Sequence, residues 1–367
     1  MKSNFEEAHR KIIFGLFLIP NFGFCRITKL FEEFKDWEKI WNLNYSDFKK
    51  INYPDNLIKC FVQERDKIDL EKAWNPYKNQ DIKIITFYDK EYPYLLKQTY
   101  SPPLVIFARG NISLFQNENF LSVVGTRKNT QYGKSVVQNL IKPVADQNIT
   151  IISGLAIGID SLAHTEALDT HGSTIAVLGT PINQIYPNCN YNLAQKILKN
   201  GLIISEIPIN SPFIKENFAR RNRIIAGLSQ ATFVIEAGER SGALITAEFA
   251  INENREILTV PNSIFDNATK GNLKLIKQGA KIVGNVEDVL EIYGKKNIII
   301  NNDINSVKFD NDEQKLIYNI LSNGPCHIDK IIEYSTLNTN VVMSNLTQME
   351  IFNLINNVGG QIYQIKK

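Results

Sequence analysis

Four cysteines and four histidines in 367 residues leave little material for metal or redox chemistry. Cys25, Cys60, Cys189 and Cys326 lie far apart, with no Cys-x-x-Cys pair and no neighbouring histidine cluster. That spacing argues against a disulfide framework and a zinc site, and it fits a reducing cytoplasm with no metal or cofactor required. Long hydrophobic runs are also missing. Ile12 to Ile19 is apolar but too short to cross a bilayer; Glu6 and Glu7 precede it and no small-residue cleavage site follows. A soluble, unprocessed chain with no membrane partner is therefore expected. Net charge is only +3, so no global field announces a polyanionic partner, and local clusters of charge must do so instead.

Arginine is scarce as well, with 10 among 41 basic residues. Half of the arginines fall at Arg127, Arg220, Arg221, Arg223 and Arg240, in or beside loops that the strand pattern puts at strand ends. In a chain whose default cation is lysine, that placement favours the planar fork that grips phosphate in two-pronged fashion.

With 44% apolar residues the chain can bury a full core, and its length suits two or three domains. Residues 1–78 read as a helical module. Leu18-Ile-Pro-Asn-Phe-Gly23 looks like a degraded helix-hairpin-helix, with Asn21 where that motif prefers glycine. The segment holds 14 basic and 12 acidic residues, so a structural or interaction role is expected rather than a basic platform.

Residues 79–295 alternate apolar runs with amphipathic helical patterns. Tyr88 to Pro103 suits an extended lead-in, and Leu104 to Ala108 a strand. Further strands are expected at 121–125, 150–153, 174–178, 202–205, 232–236 and 256–260. Helices are expected near 132–147, 160–170, 190–200, 217–228 and 241–253. Continuous Val/Ile/Leu runs separated by helices predict a doubly wound parallel sheet of Rossmann-like α/β type, which binds ligands where its strands end.

The stretch Ile151-Ile-Ser-Gly-Leu-Ala-Ile-Gly-Ile-Asp-Ser-Leu-Ala-His164 reads as a buried strand, a glycine loop and a helix capped by Asp160 or Ser161. Two glycines let amides approach an anion, and the helix behind them adds positive potential. No Gly-Lys-Ser/Thr ending and no dinucleotide fingerprint is present. A turn that merely packs explains such a loop equally well.

The strand-end loops gather Gly125, Thr126, Arg127 and Lys128; Ser153, Gly154 and Gly158; and Arg240, Ser241 and Gly242. Asn217, Arg220, Arg221, Asn222 and Arg223 open the helix after Glu206, and Lys270 follows later. An arginine rim around glycine loops is a surface for a sugar-phosphate backbone or a nucleotide. Glu206 and Glu236 are expected to pair with that rim, and His164 to be a hydrogen-bonded structural residue.

Residues 296–311 are Asn-rich and read as a linker. Residues 312–367 read as helix, turn at Asn323-Gly-Pro325, two helices and a hairpin, which is a winged-helix pattern. Between Ile331 and Ile365 there is no Lys or Arg, so its recognition helix cannot release counterions from duplex DNA and a regulatory or protein-contact role is favoured.

Ser122-Val-Val-Gly-Thr-Arg127, Ser153-Gly-Leu-Ala-Ile-Gly-Ile-Asp160, Asn217-Phe-Ala-Arg-Arg-Asn-Arg-Ile-Ile-Ala-Gly-Leu-Ser229, Glu239-Arg-Ser-Gly-Ala-Leu-Ile-Thr-Ala247 and Val260-Pro-Asn-Ser-Ile-Phe265 occur in this order. Together they resemble the DNA-processing protein A (DprA/Smf) family of bacteria, over nearly the whole chain. The resemblance implies a sterile-alpha-motif-like N-terminus, a Rossmann-like core and a winged-helix tail. It implies a single-stranded DNA-binding protein of natural transformation that protects incoming strands, loads the RecA recombinase and acts as a homodimer. Arg127 would be a principal phosphate contact, with the Ser153 to Gly158 loop and Arg220 to Arg223 completing the pocket. Two positions depart from the pattern. Ile157 replaces a usual basic residue, and Asn262 stands where the family has glycine, so a turn of conserved shape is expected there because Asn tolerates positive φ.

The main rival is a nucleoside-monophosphate hydrolase of the Rossmann-like, lysine-decarboxylase-like (LOG) kind. That family carries Pro-Gly-Gly-x-Gly-Thr with a nearby glutamate; here the segment Gly238 to Glu248 occupies a similar place with Arg240-Ser-Gly242 and no Pro-Gly-Gly, and Glu248 reads as a solvated helix residue rather than a general acid. A two-metal nuclease built on Asp160, Glu206 and Glu236, and a pure scaffold, are weaker alternatives. A binding protein without catalytic residues is the expectation.

Overall fold

The computed structural model describes residues 2–295, 309–322, 324–352 and 354–365, which divide into two compact units, Met1–Asn297 and Ile298–Lys367. Most of the expected linker, residues 296–308, lies outside the described residues, as does Asn323 of the expected turn.

The first unit begins with six helices: α1 (Lys2–Leu18), α2 (Phe24–Phe34), α3 (Trp37–Trp41), α4 (Tyr45–Lys50), α5 (Asp55–Arg65) and α6 (Leu70–Asn79). Asn21, in the turn between α1 and α2, takes φ 68°, so asparagine supplies the left-handed residue that the hairpin needs. Asp36, Asn44 and Asp69 cap α3, α4 and α6 through their side chains.

A nine-stranded sheet follows. Its strands are β1 (Lys83–Thr86), β2 (Val105–Gly110), β3 (Phe120–Val124), β4 (Thr150–Ser153), β5 (Thr174–Leu178), β6 (Leu202–Ser205), β7 (Ala231–Val234), β8 (Glu256–Thr259) and β9 (Lys281–Ile282). Their spatial order is β1-β2-β6-β5-β4-β3-β7-β8-β9. From β6 to β9 all pairs are parallel, as the buried apolar runs predict. The edge differs from the expected all-parallel sheet, because β1 and β2 run antiparallel to their neighbours. Only a 3₁₀ turn, Ile112–Gln116, stands between β2 and β3, too little chain for a crossover helix.

The helices of this region are α7 (Tyr94–Lys97), α8 (Gln131–Val136), α9 (Lys142–Asp146), α10 (Ile159–Leu168), α11 (Tyr191–Asn200), α12 (Glu216–Gly227), α13 (Gly242–Asn252), α14 (Lys270–Lys277) and α15 (Val286–Leu290), with one π turn, Val137–Ile141, between α8 and α9. One face of the sheet shares a hydrophobic core with the N-terminal helices, where Phe14, Leu16, Ile40 and Phe61 join Phe107 of β2 and Ile203 of β6. Tyr77 stacks on Phe107 with ring centroids 4.8 Å apart. On the other face α12 and α13 bury Ile224, Ile225, Ala243 and Ala247.

The second unit contains α16 (Asp312–Leu321), β10 (Cys326–His327), α17 (Ile328–Ser335), α18 (Thr339–Ile351), β11 (Ile355–Asn357) and β12 (Ile362–Ile365). The strands form an antiparallel sheet in the order β10-β12-β11, and Ile317, Ile331, Leu346 and Met349 pack its core. Three helices with a small sheet and a β11–β12 hairpin make a winged helix. Among the described residues no helix is long and apolar enough to cross a membrane.

Candidate nucleic-acid interface

The chain reverses its order across the sheet at β3, which has β4 on one side and β7 on the other. The loops leaving β3 and β7 therefore diverge and open a crevice at the carboxyl ends of the strands, where doubly wound sheets hold ligands. A cavity of about 520 Å³ occupies this place. Gly125, Thr126 and Arg127 line it from β3, Ser241 and Gly242 from the start of α13, and Lys215, Arg221 and Asn222 from α12 and the residue before it. Arg240 completes the wall. Four cationic side chains thus face one carboxylate, Asp160, which makes the cavity a cation-rich recess for an anion.

The four cations are held in different ways. Arg127, Arg240 and Lys215 are exposed, and no ion pair engages them among the described residues. Arg221 is buried. Its Nη1 donates to the Gly154 carbonyl at 2.6 Å and to the Val177 carbonyl, and its Nε donates to Asn222 Oδ1 at 3.1 Å. Nη2 takes part in none of these bonds. Burial pulls the guanidinium down to about 10, Asp160 opposing and Arg127 adding to the fall, so it stays charged at neutral pH. Arg221 is accordingly a structural cation at the cavity floor and not the open rim residue that the sequence suggests.

The glycine loop is also rearranged relative to expectation. Asp160 does not cap its helix; Gly158 is the N-cap of α10. The Asp160 carboxylate turns back and accepts from Gly154 N at 3.1 Å and Ala156 N at 3.4 Å. The Gly154 amide, expected to face an anion, is therefore occupied together with that of Ala156, because a buried carboxylate must be hydrogen-bonded. Burial raises the Asp160 carboxyl above the usual carboxylate range, against the pull of Arg221. Ser153 is buried and donates through Oγ to Val123 O at 2.6 Å, so its hydroxyl braces β4 against β3. Gly158 takes φ 89°, and a Cβ there would strike the Thr126 carbonyl and the Arg127 backbone. That close approach seats α10 under the Arg127 loop, where Ile159 N donates to Thr126 O at 3.2 Å.

Several other expected contacts have different places. Arg223 forms an ion pair with Glu206, as expected. Glu236 does not pair with an arginine; it is fully buried and accepts from Thr130 N at 2.9 Å and from Thr130 Oγ1, fixing the start of α8. Ser241 caps α13, accepting from Ala243 N at 3.3 Å, so the positive end of α13 points at the cavity while the serine hydroxyl is engaged. Asn217 is buried, and Arg220, Lys128 and Lys270 are exposed but do not line the cavity. Asn262 is absent from the positive-φ positions; its Oδ1 accepts from Ser263 N at 2.7 Å and shapes the turn in another way. Lys215 and Phe218 were not anticipated as lining residues. Lys215 stands one residue before α12, the helix that opens onto the crevice, and that position is the signal that could have found it.

His164 is fully buried in α10, with Nδ1 2.7 Å from Thr174 Oγ1. Desolvation, helped by Arg221, lowers it to about 3, so the ring is neutral.

Comparison with known proteins identifies the family. Residues 83–294 match the family profile of DNA recombination-mediator protein A, and residues 308–361 match the DprA winged helix domain. The DNA processing protein DprA of Bacillus subtilis is 40% identical over 229 residues, 62% of this chain and 77% of that one. The crystal structure of DNA processing protein A from Streptococcus pneumoniae is 34% identical with a TM-score of 0.64, covering 72% of this chain and 90% of that chain. A structure of DNA processing protein A from Helicobacter pylori, described for its single-stranded DNA binding mode, is 26% identical with a TM-score of 0.53, covering 58% of this chain and 95% of that chain.

Proposed function

Since the chain belongs to the DNA recombination-mediator protein A family, we propose that it binds single-stranded DNA in the β3–β7 crevice, protects the strand during natural transformation and loads the RecA recombinase onto it. The observation that carries this reading is the convergence of Arg127, Lys215, Arg221 and Arg240 on one cavity beside the α13 N-terminus. Cations and a helix dipole hold phosphates without reading bases, which suits a strand of any sequence. The Helicobacter pylori relative binds single-stranded DNA, which supports the same assignment here. The working form is a homodimer in the cytoplasm, and no step of bond cleavage is assigned to the cavity.

The test is a mobility-shift titration with single-stranded and duplex oligonucleotides of equal length, run beside a nucleoside-monophosphate hydrolysis assay. Preference for the single strand without hydrolysis is expected. Equal affinity for the duplex, or turnover of the nucleotide, overturns the reading. RecA filament growth on a strand already coated with the protein tests the loading step, and sedimentation tests the dimer.

A further inference from the structure

Next to the cationic cavity three aromatic rings form a cluster. Tyr186 lies in the loop between β5 and α11, Phe213 in the segment leading to α12, and Phe218 in the first turn of α12. Ring centroids are 5.2 Å apart for Tyr186 and Phe213, 5.3 Å for Tyr186 and Phe218, and 5.6 Å for Phe213 and Phe218. These are the separations of rings in mutual contact. Rings packed this closely normally belong to a core, yet Phe213 is 54% exposed and Tyr186 46% exposed. Their neighbours fix them in place while open faces remain toward solvent.

Continuity with the cavity identifies what such faces are for. Phe218 lines the cavity itself, and so does Lys215, which lies between Phe213 and Phe218 in the chain. Aromatic surface joined to a cationic recess matches an occupant that carries anionic groups and flat apolar groups on one backbone. An unpaired nucleic acid strand has that chemistry, and every base offers a π-face whatever its identity. A duplex keeps its bases stacked inside and offers none.

We infer that Tyr186 and Phe213 form a stacking platform for bases of a single strand whose phosphates lie along Arg127, Lys215 and Arg240. The inference rests on the single-strand reading above and adds an uncharged contribution to it, one that selects unpaired strands over duplex where the cations alone do not.

Fluorescence anisotropy with two probes tests it: an oligothymidylate, and a strand of the same length and phosphate charge made of abasic sugars. Phe213→Ala and Tyr186→Ala each lower affinity for the oligothymidylate by about tenfold, the effect of one lost stacking contact. They leave affinity for the abasic strand and the salt dependence of binding unchanged, because no phosphate contact is touched. Phe213→Tyr keeps wild-type affinity for both probes. Equal losses on both probes, or no loss on either, overturn the platform. Failure of the wild-type protein to bind the oligothymidylate overturns the underlying reading instead, so the two failures are distinguishable. If Phe213→Ala abolishes binding to a protein partner while leaving both strands bound as before, the platform is a protein-docking surface and the inference fails.

Discussion

Arg221 Nη1 sits 2.6 Å from the carbonyl oxygen of Gly154, which joins α12 to the loop after β4 across 67 positions of sequence. The same guanidinium reaches Val177 O and stands opposite Asp160. Removing it leaves two buried carbonyls and a buried carboxylate without their cation. Arg221→Ala is expected to cost about 3 kcal/mol or more in stability. Thermal unfolding checks this; an unchanged midpoint would show that the buried guanidinium contributes nothing to the fold.

Arg127 presents the opposite case. It is exposed at the cavity rim and engaged in no ion pair among the described residues. Arg127→Ala is expected to leave the unfolding midpoint unchanged, weaken single-strand binding severely and reduce the slope of log affinity against log salt by about one. Titrations at several salt concentrations measure both quantities, and wild-type affinity with wild-type slope removes Arg127 from the site.

His164 makes stability depend on acid. Its ring titrates at about 3 in the folded protein against 6.5 as an unperturbed group. Between those values the unfolded chain binds a proton that the folded chain refuses, so stability falls as pH drops from about 6.5 toward 3. Asp160 has the opposite sign, since its raised value makes its contribution greatest in acid and lost as pH rises through that value. Because Asp160 is present in both proteins, comparison with His164→Gln isolates the histidine. Denaturant unfolding at a series of pH values should show a shallower acid decline in the variant, and identical declines would contradict a buried neutral imidazole.

The winged helix is expected to be dispensable for strand binding. From Ile331 to Ile365 it offers no Lys or Arg, so it cannot supply phosphate contacts there. A chain lacking 312–367 should retain most of its single-strand affinity by anisotropy, and a large loss would place phosphate contacts in that domain.

The sheet was largely legible in advance because parallel strands covered on both faces leave continuous apolar runs, as Ile151–Ile152 and Ile175–Leu178 do. β1 was missed: it has four residues, begins at exposed Lys83 and follows Asp81 in a left-handed turn, so neither alternation nor length marks it. The crevice could be placed from strand ends alone. Which arginine faces solvent could not. Arg221 and Arg223 are two residues apart in one motif, but Arg221 reaches Gly154 and Val177 while Arg223 reaches Glu206. Those partners come together only through tertiary packing. For the same reason the sequence points Glu236 toward an arginine, whereas Thr130, more than a hundred residues away, takes it.

The ring stack of Tyr77 on Phe107, with Phe14 meeting the same phenyl edge-on at 5.9 Å, has a practical corollary. A protease nick in the stretch joining Asn79 to Lys83 would sever the peptide without parting the pieces, which should co-elute until denaturant is added. Expressed without its helices, the sheet region would present an oily flank and precipitate. The N-terminal helices thus act as a fitted cover for that flank, and trimming them to obtain a minimal core is a poor strategy.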